Sequence, residues 1–244
     1  MKDTTYHIIA SVLDLFLWSG ELVGEENLPR SGPAVFIANH LDAAGPIATA
    51  CSIPLRVHPW SIADMMDKDL APKWLEKDFT IRQLHLKPPA SRWLARGLCK
   101  FVVPLFYSLG CIPVYANDYE RMRATLDMSM EVLREGKFLL IFPEDYRLPK
   151  DPVTKMQPFQ HSFVRLGESY YAETGERLPF YPVTVHASGY LVVGMPVVFN
   201  PLNLVGMERR RLKGLLEQEI TRTYLEMDGQ AAGRDVRALT PERK

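Results

Sequence analysis

The sequence predicts an α/β domain, a mostly parallel sheet flanked by helices, with an amphipathic helix at its N-terminus. Three observations predict it. Val35-Phe36-Ile37-Ala38 is an apolar run that stops at a bare Asn39-His40 pair, and Phe138-Leu139-Leu140-Ile141-Phe142 stops in the same way at Pro143-Glu144-Asp145-Tyr146-Arg147. Short apolar runs bounded by turn residues read as buried strands. Around them the chain alternates strand-like runs with helical periods, the pattern of a parallel sheet whose crossovers cover its faces. Open sheets of this kind place ligands beyond the carboxyl ends of their strands, so His40 and the polar residues after Phe142 are candidates for one crevice.

Each element has its own signal. Ile9, Val12, Leu13 and Phe16 recur at helical spacing, which predicts an amphipathic helix over residues 4–18 of an N-terminal segment 1–23. That helix packs on the core or lies on a membrane; packing is preferred because it lacks the Lys and Arg of a membrane-surface helix. After the first strand, residues 43–53 read as a helix with Asp42 as its N-cap, and Val57–Ala63 as a second strand. A helix over 90–107 precedes a short third strand, Ile112–Tyr115. Asn117 or Asp118 caps the next helix, which runs to Glu135 and ends at Gly136, and Phe138–Phe142 is the fourth strand. A helix over 159–173, strands over 180–186 and 195–199 and a helix over 208–227 complete a domain spanning 24–227. Residues 228–244 lack apolar periodicity and read as a disordered tail.

At 244 residues, with 47% hydrophobic and 24% charged content, the chain is long enough for one full core. Lys plus Arg equals Asp plus Glu at 29 each, so global charge gives no warrant for nucleic-acid binding. Cys51, Cys99 and Cys111 show no paired spacing, which fits reduced thiols in a cytoplasmic setting. The first residues do not read as a signal peptide, and no run reaches the roughly 18 uncharged apolar residues of a membrane span. The His residues are scattered without metal-ligand spacing, so no metal is expected. There is no Gly-x-Ser-x-Gly elbow, His-Glu-x-x-His or Gly-rich phosphate loop.

One segment breaks the neutrality. From Phe79 to Asn117 there is no Asp or Glu, yet Arg82, Lys87, Arg92, Arg96 and Lys100 occur there. Arg92, Arg96 and Lys100 are spaced four apart and stack in one stripe on a helix beside Trp93, Leu94 and Phe101. The stripe predicts a surface that faces an anionic membrane or an acidic carrier.

Taken in order, several motifs resemble the 1-acylglycerol-3-phosphate acyltransferase-like (lysophospholipid acyltransferase) family. They are Gly24-Glu25-Glu26-Asn27-Leu28-Pro29 leading to Asn39-His40, Gly110-Cys111-Ile112-Pro113-Val114, Phe142-Pro143-Glu144 with Arg147, and Pro179-Phe180-Tyr181-Pro182-Val183. The resemblance runs from about Gly24 to Pro201. It implies a glycerolipid acyltransferase-like fold and O-acyl transfer in phospholipid biosynthesis. The implied donor is an acyl thioester, on coenzyme A or acyl-carrier protein, with no further cofactor, and the acceptor is a lipid hydroxyl at the inner face of a membrane. His40 is then the general base, since an imidazole titrates near neutrality. Asn39, Glu144 and Arg147 become substrate-binding residues, Asn39 also bracing the His40 turn.

Three positions depart from the family. Its first motif carries Asp five residues after His, where this chain has Gly45. The second motif's Arg is Ala116, and the third motif's Gly-Thr is Asp145-Tyr146. The carboxylate that would orient His40 therefore has three readings: Asp42 turns back toward it, Asp145 reaches across from the facing loop, or none assists. Asp145 is preferred slightly over Asp42, because a carboxylate lost at 45 and gained at 145 is a trade between adjacent loops.

Overall fold

The structure, a computed structural model, describes residues 20–41, 44–82, 84–115 and 118–231. The proposed N-terminal helix, Asp42, Ala116 and the chain beyond 231 lie outside the described residues. In chain order the elements are β1 (Glu21–Val23), β2 (Ala34–Ala38), α1 (Ala44–Ser52), β3 (Val57–Ile62), α2 (Ala63–Met66), α3 (Ala71–Leu75), a π-helical turn (Glu76–Ile81) and α4 (Ala90–Leu109). Then follow β4 (Ile112–Val114), α5 (Tyr119–Arg134), β5 (Phe138–Ile141), α6 (Arg165–Thr174), β6 (Pro179–Val185), β7 (Tyr190–Val193), β8 (Val197–Val198) and α7 (Val205–Ala231).

Backbone contacts divide the chain into two compact units, one over 58–129 and one formed by the flanking segments. The larger unit holds the sheet in the order β1-β7-β6-β2-β5, with β8 paired to β6. β2 runs parallel to β5 on one side and to β6 on the other, with Ile37 opposite both Ile141 and Pro182. β7 is antiparallel to β6 and parallel to β1. Every residue of β2 is buried, as expected of a central strand covered on both faces. Phe36, Leu140, Val183 and Leu191 share one apolar cluster with Ala48 and Ile53 of the α1 region.

The smaller unit pairs β3 with β4 in parallel, Trp60 opposite Ile112, and packs α3 against α4. Gly110 ends α4 at φ +74°, and a Cβ there would lie 2.6 Å from the His58 ring, whose Nδ1 is 3.1 Å from the Gly110 carbonyl. Both the left-handed backbone and the close approach require glycine at this point in the Gly110–Val114 motif. Asp118 caps α5 by accepting the Arg121 N–H at 3.0 Å.

Four sequence expectations change. The helix expected over 159–173 begins only at a 3-10 turn from Ser162, because Phe159 pairs with Glu144 and the Gln160 N–H donates to the Pro143 carbonyl. Residues 190–193 form a strand that the pattern did not reveal, and the strand expected over 195–199 shrinks to Val197–Val198. α7 starts at Val205 and continues to Ala231, through the first residues of the expected tail. Ala63, expected in the second strand, opens a helix instead, and 64–81, where the sequence pattern shows no element, are helical in short pieces.

Candidate active site

β2 delivers Asn39 and His40 at its carboxyl end, and each is fixed in a different way. Asn39 is fully buried; its Oδ1 accepts the Val185 N–H at 2.7 Å, and its Nδ2 donates to the Val185 carbonyl at 2.9 Å. The side chain thus substitutes for a rung of ladder between the ends of β2 and β6. With both polar atoms engaged there, Asn39 braces the turn that carries His40.

His40 is exposed, and its N–H donates to Glu144 Oε1 at 2.6 Å. Its ring meets Phe142 edge-on, with centroids 5.2 Å apart, because residues 38 and 142 stand side by side at the ends of β2 and β5. The next residue, Leu41, turns the chain sharply at φ +40°. A non-glycine residue in this region carries strain on the order of 1–3 kcal/mol, which the surrounding bonds must offset.

Glu144 spans the gap between loops. While Oε1 takes the His40 N–H, Oε2 takes the N–H of Gln157 at 2.8 Å. Its own backbone bridges to Phe159, and the flanking bonds Asp145 N–H to Pro158 carbonyl and Gln160 N–H to Pro143 carbonyl zip 143–145 onto 158–160. Glu144 thus bonds the backbone of residue 40.

Asp145, expected to reach His40, has its carboxylate on Arg147. Arg147 Nε donates to Oδ1 at 2.8 Å and Nη2 to Oδ2 at 2.7 Å, while the Arg147 N–H adds a bond to Oδ1 at 3.1 Å. Asp145 is 8% exposed, and the Arg147 hydrogen bond lowers its carboxyl to about 2 against the opposing effect of burial. Arg147 is exposed, and two of its guanidinium donors are committed inside its own loop.

Gly45, at the family's Asp position, lies against His40 itself. Its N–H donates to the His40 carbonyl at 2.9 Å, and a Cβ built on it would sit 2.2 Å from that oxygen and 2.7 Å from the Asn39 carbonyl oxygen. No L side chain fits at 45 with this backbone. The Thr49 hydroxyl, buried one turn on, donates to the Gly45 carbonyl at 2.8 Å and holds the start of α1 in place.

A further imidazole, this one buried, has no signal in the sequence pattern. His186, at the end of β6, has Nδ1 2.6 Å from the Ser188 hydroxyl and Nε2 3.1 Å from Asp228 of α7, and its ring packs on Tyr224 at 4.5 Å. It ties the β6–β7 turn to α7, using a residue from the segment read as tail. Of the thiols, Cys111 is pushed up to about 12 by burial and Cys99 is also raised, so neither favours the nucleophilic thiolate.

In the smaller unit, α4 turns Arg92, Arg96 and Lys100 outward, while Ser91, Ala95, Cys99 and Val103 are buried. Trp93 and Phe101, both 76% exposed, follow the basic stripe around the helix.

Residues 89–186 match the pattern of the family described as Acyltransferase. That stretch, less than half of the chain, is where the likeness to the acyltransferase family lies. The matched stretch includes Glu144, Asp145 and Arg147 and ends at His186, whereas His40 precedes it. No curated protein matches the sequence. The fold is similar to the crystal structure of the 1-acyl-sn-glycerophosphate (LPA) acyltransferase, PlsC, from Thermotoga maritima, with 15% identity, a TM-score of 0.55, and coverage of 93% of this chain and 83% of that one. Mostly parallel strands flanked by helices are thus the fold that this chain shares with that structure.

Proposed function

We propose that this acyltransferase moves a fatty acyl group from a thioester donor, acyl-coenzyme A or acyl-carrier protein, to a hydroxyl of a lysophospholipid or related acceptor. The reading rests on one observation: an exposed imidazole at a strand's end whose backbone N–H and carbonyl are both held, by Glu144 and by Gly45. His40 takes the acceptor's hydroxyl proton as the oxygen attacks the thioester carbon. A C–O bond forms, the C–S bond breaks, and the proton passes to the departing sulfur. Held rigidly, a general base of this kind contributes about 10²–10⁴ in rate.

The acceptor in this reading is less anionic than a phosphate monoester held by two arginines. Arg147 suits bidentate phosphate binding, but Asp145 already neutralises it, and Ala116 has no cation to add. The protein works as a peripheral protein on the cytoplasmic face of an anionic membrane, approached through Arg92, Arg96 and Lys100. Among the described residues no helix is long and apolar enough to cross a membrane.

The test is thiol release from both donors over a panel of lyso-lipid acceptors, with His40→Ala expected to remove nearly all turnover. A His40→Ala protein that keeps most of its activity would overturn the assignment. One observation favours a second reading, a catalytically degenerate relative that binds lipid or acyl carrier: Gly45 leaves no room for the family's Asp, and Asp145 is engaged elsewhere. Absence of turnover by the wild type with both donors and every acceptor would establish that alternative.

A further inference from the structure

The smaller unit contains a groove of about 650 Å³ between the 68–76 segment and α4. Five cations line it, Lys68, Lys73, Arg92, Arg96 and Lys100, against two carboxylates, Asp69 and Glu76, a formal balance of +3. Glu76 is already engaged: its Oε1 accepts from Ser91 Oγ at 2.9 Å and from Arg92 Nε at 3.3 Å. Among the described residues, Lys68, Lys73, Arg96 and Lys100 take part in no ion pair. Arg92, Arg96 and Lys100 rise along about 12 Å of helix, at about 1.5 Å per residue. The positive charge is therefore distributed along one wall. A single phosphodiester would leave most of it uncompensated, whereas two phosphates in one headgroup nearly balance it.

The helix that forms this wall also carries large apolar side chains in water. Trp93 and Phe101 are each 76% exposed, and Ile81 and Leu84, which precede α4, are 41% and 45% exposed. A soluble polyphosphate gives these groups nothing to contact. A bilayer does, because aromatic rings favour the interfacial layer and a basic helix face is drawn to anionic lipid.

We infer that this groove is a binding site for the headgroup of an anionic phospholipid that carries two phosphates, of the cardiolipin type, with Trp93 and Phe101 entering the interfacial layer of the same leaflet. The inference rests on the membrane-surface part of the proposed function and sharpens it, from attraction to negative charge into recognition of clustered phosphate.

The experiment is sedimentation of the full chain with phosphatidylcholine vesicles containing either cardiolipin or phosphatidylglycerol, matched in total charge. Wild type is expected to bind the cardiolipin vesicles about 10–30-fold more tightly, the scale set by roughly two well-placed cations. Arg96→Ala with Lys100→Ala should abolish the preference. Trp93→Ala with Phe101→Ala should weaken binding to both vesicles while keeping it. All four residues are exposed, so an unchanged melting curve is expected for each variant. Equal binding to charge-matched vesicles overturns the inference, as does a preference that survives the double basic substitution. Stoichiometric binding of adenosine 3′,5′-bisphosphate without lipid, lost in that same variant, also overturns it and assigns the groove to a nucleotide-bearing donor. Acyl transfer to a detergent-dispersed acceptor is the separate control: its failure in wild type counts against the His40 reading, not against the groove.

Discussion

Placing a side chain at residue 45 tests the site most directly. Any Cβ there starts 2.2 Å from the His40 carbonyl oxygen and must move to at least 3.0 Å, so the strand end and the start of α1 have to part by about 0.8 Å. That displacement breaks the Gly45 N–H to His40 carbonyl bond, a net loss of about 0.5–1.5 kcal/mol, and adds overpacking worth about 1–3 kcal/mol. Together these come to about 2–4 kcal/mol, or a melting point lower by about 5–15 °C for a chain of this size. Displacing a catalytic group by about 1 Å costs on the order of 10²-fold in rate. Gly45→Ala isolates the steric effect, and Gly45→Asp adds the carboxylate at the family's spacing; thermal denaturation and thiol release read both. Both variants are expected to lose stability and turnover. A Gly45→Ala protein that melts and turns over like wild type would refute the steric reasoning, and a large gain in Gly45→Asp would show instead that the site wants its carboxylate back.

Other outcomes follow from the braces. Asn39→Ala leaves the Val185 N–H and carbonyl without their partners in a buried place, so urea denaturation should show a loss of about 2–4 kcal/mol; a loss under about 0.5 kcal/mol would mean that the two amide bonds do little. Glu144→Ala removes the acceptor for His40 and Gln157 together, and turnover should fall while donor affinity stays; an unchanged rate would detach Glu144 from the site. For Asp145 the folded carboxyl lies below its unfolded value, so its ionised form stabilises the fold above about pH 4, and that stability is lost as pH falls toward about 2. The stability gap between wild type and Asp145→Asn should accordingly be constant above about pH 4 and close below it, and a gap that widens on acidification would contradict the Asp145–Arg147 pairing.

What could be read from the sequence follows from how local each signal is. β2 and β5 were legible because central strands are continuous apolar runs, and a strand's end locates His40 without knowledge of its neighbours. β1, β7 and the helical pieces over 63–81 were not, since three to six residues carry too little periodicity and Pro72 interrupts the pattern. The Asp145–Arg147 pair spans two residues and could have been suspected from spacing alone. Glu144 bonds a backbone N–H 104 residues away, a contact that no spacing in one chain encodes. His186 was hidden for the same reason, because its partner Asp228 lies 42 residues on, in a segment without apolar periodicity.

The loss of the carboxylate and the need for glycine at 45 are one feature. A side chain at 45 would hold α1 away from the strand end; without it, the helix comes close enough for its backbone N–H to reach the His40 carbonyl. His40 then has its N–H on Glu144, its carbonyl on Gly45 and the preceding residue pinned to Val185, so the backbone that carries the exposed residue 40 is held on both sides. A carboxylate at 45 would act on the ring, orienting it and stabilising its protonated form. The present arrangement acts on the backbone and supplies position. Negative charge beside residue 40 is supplied by Glu144, on the backbone side. The site thus places on the backbone what an Asp at 45 would place on the ring, and the edge of Phe142 is one contact that orients the imidazole.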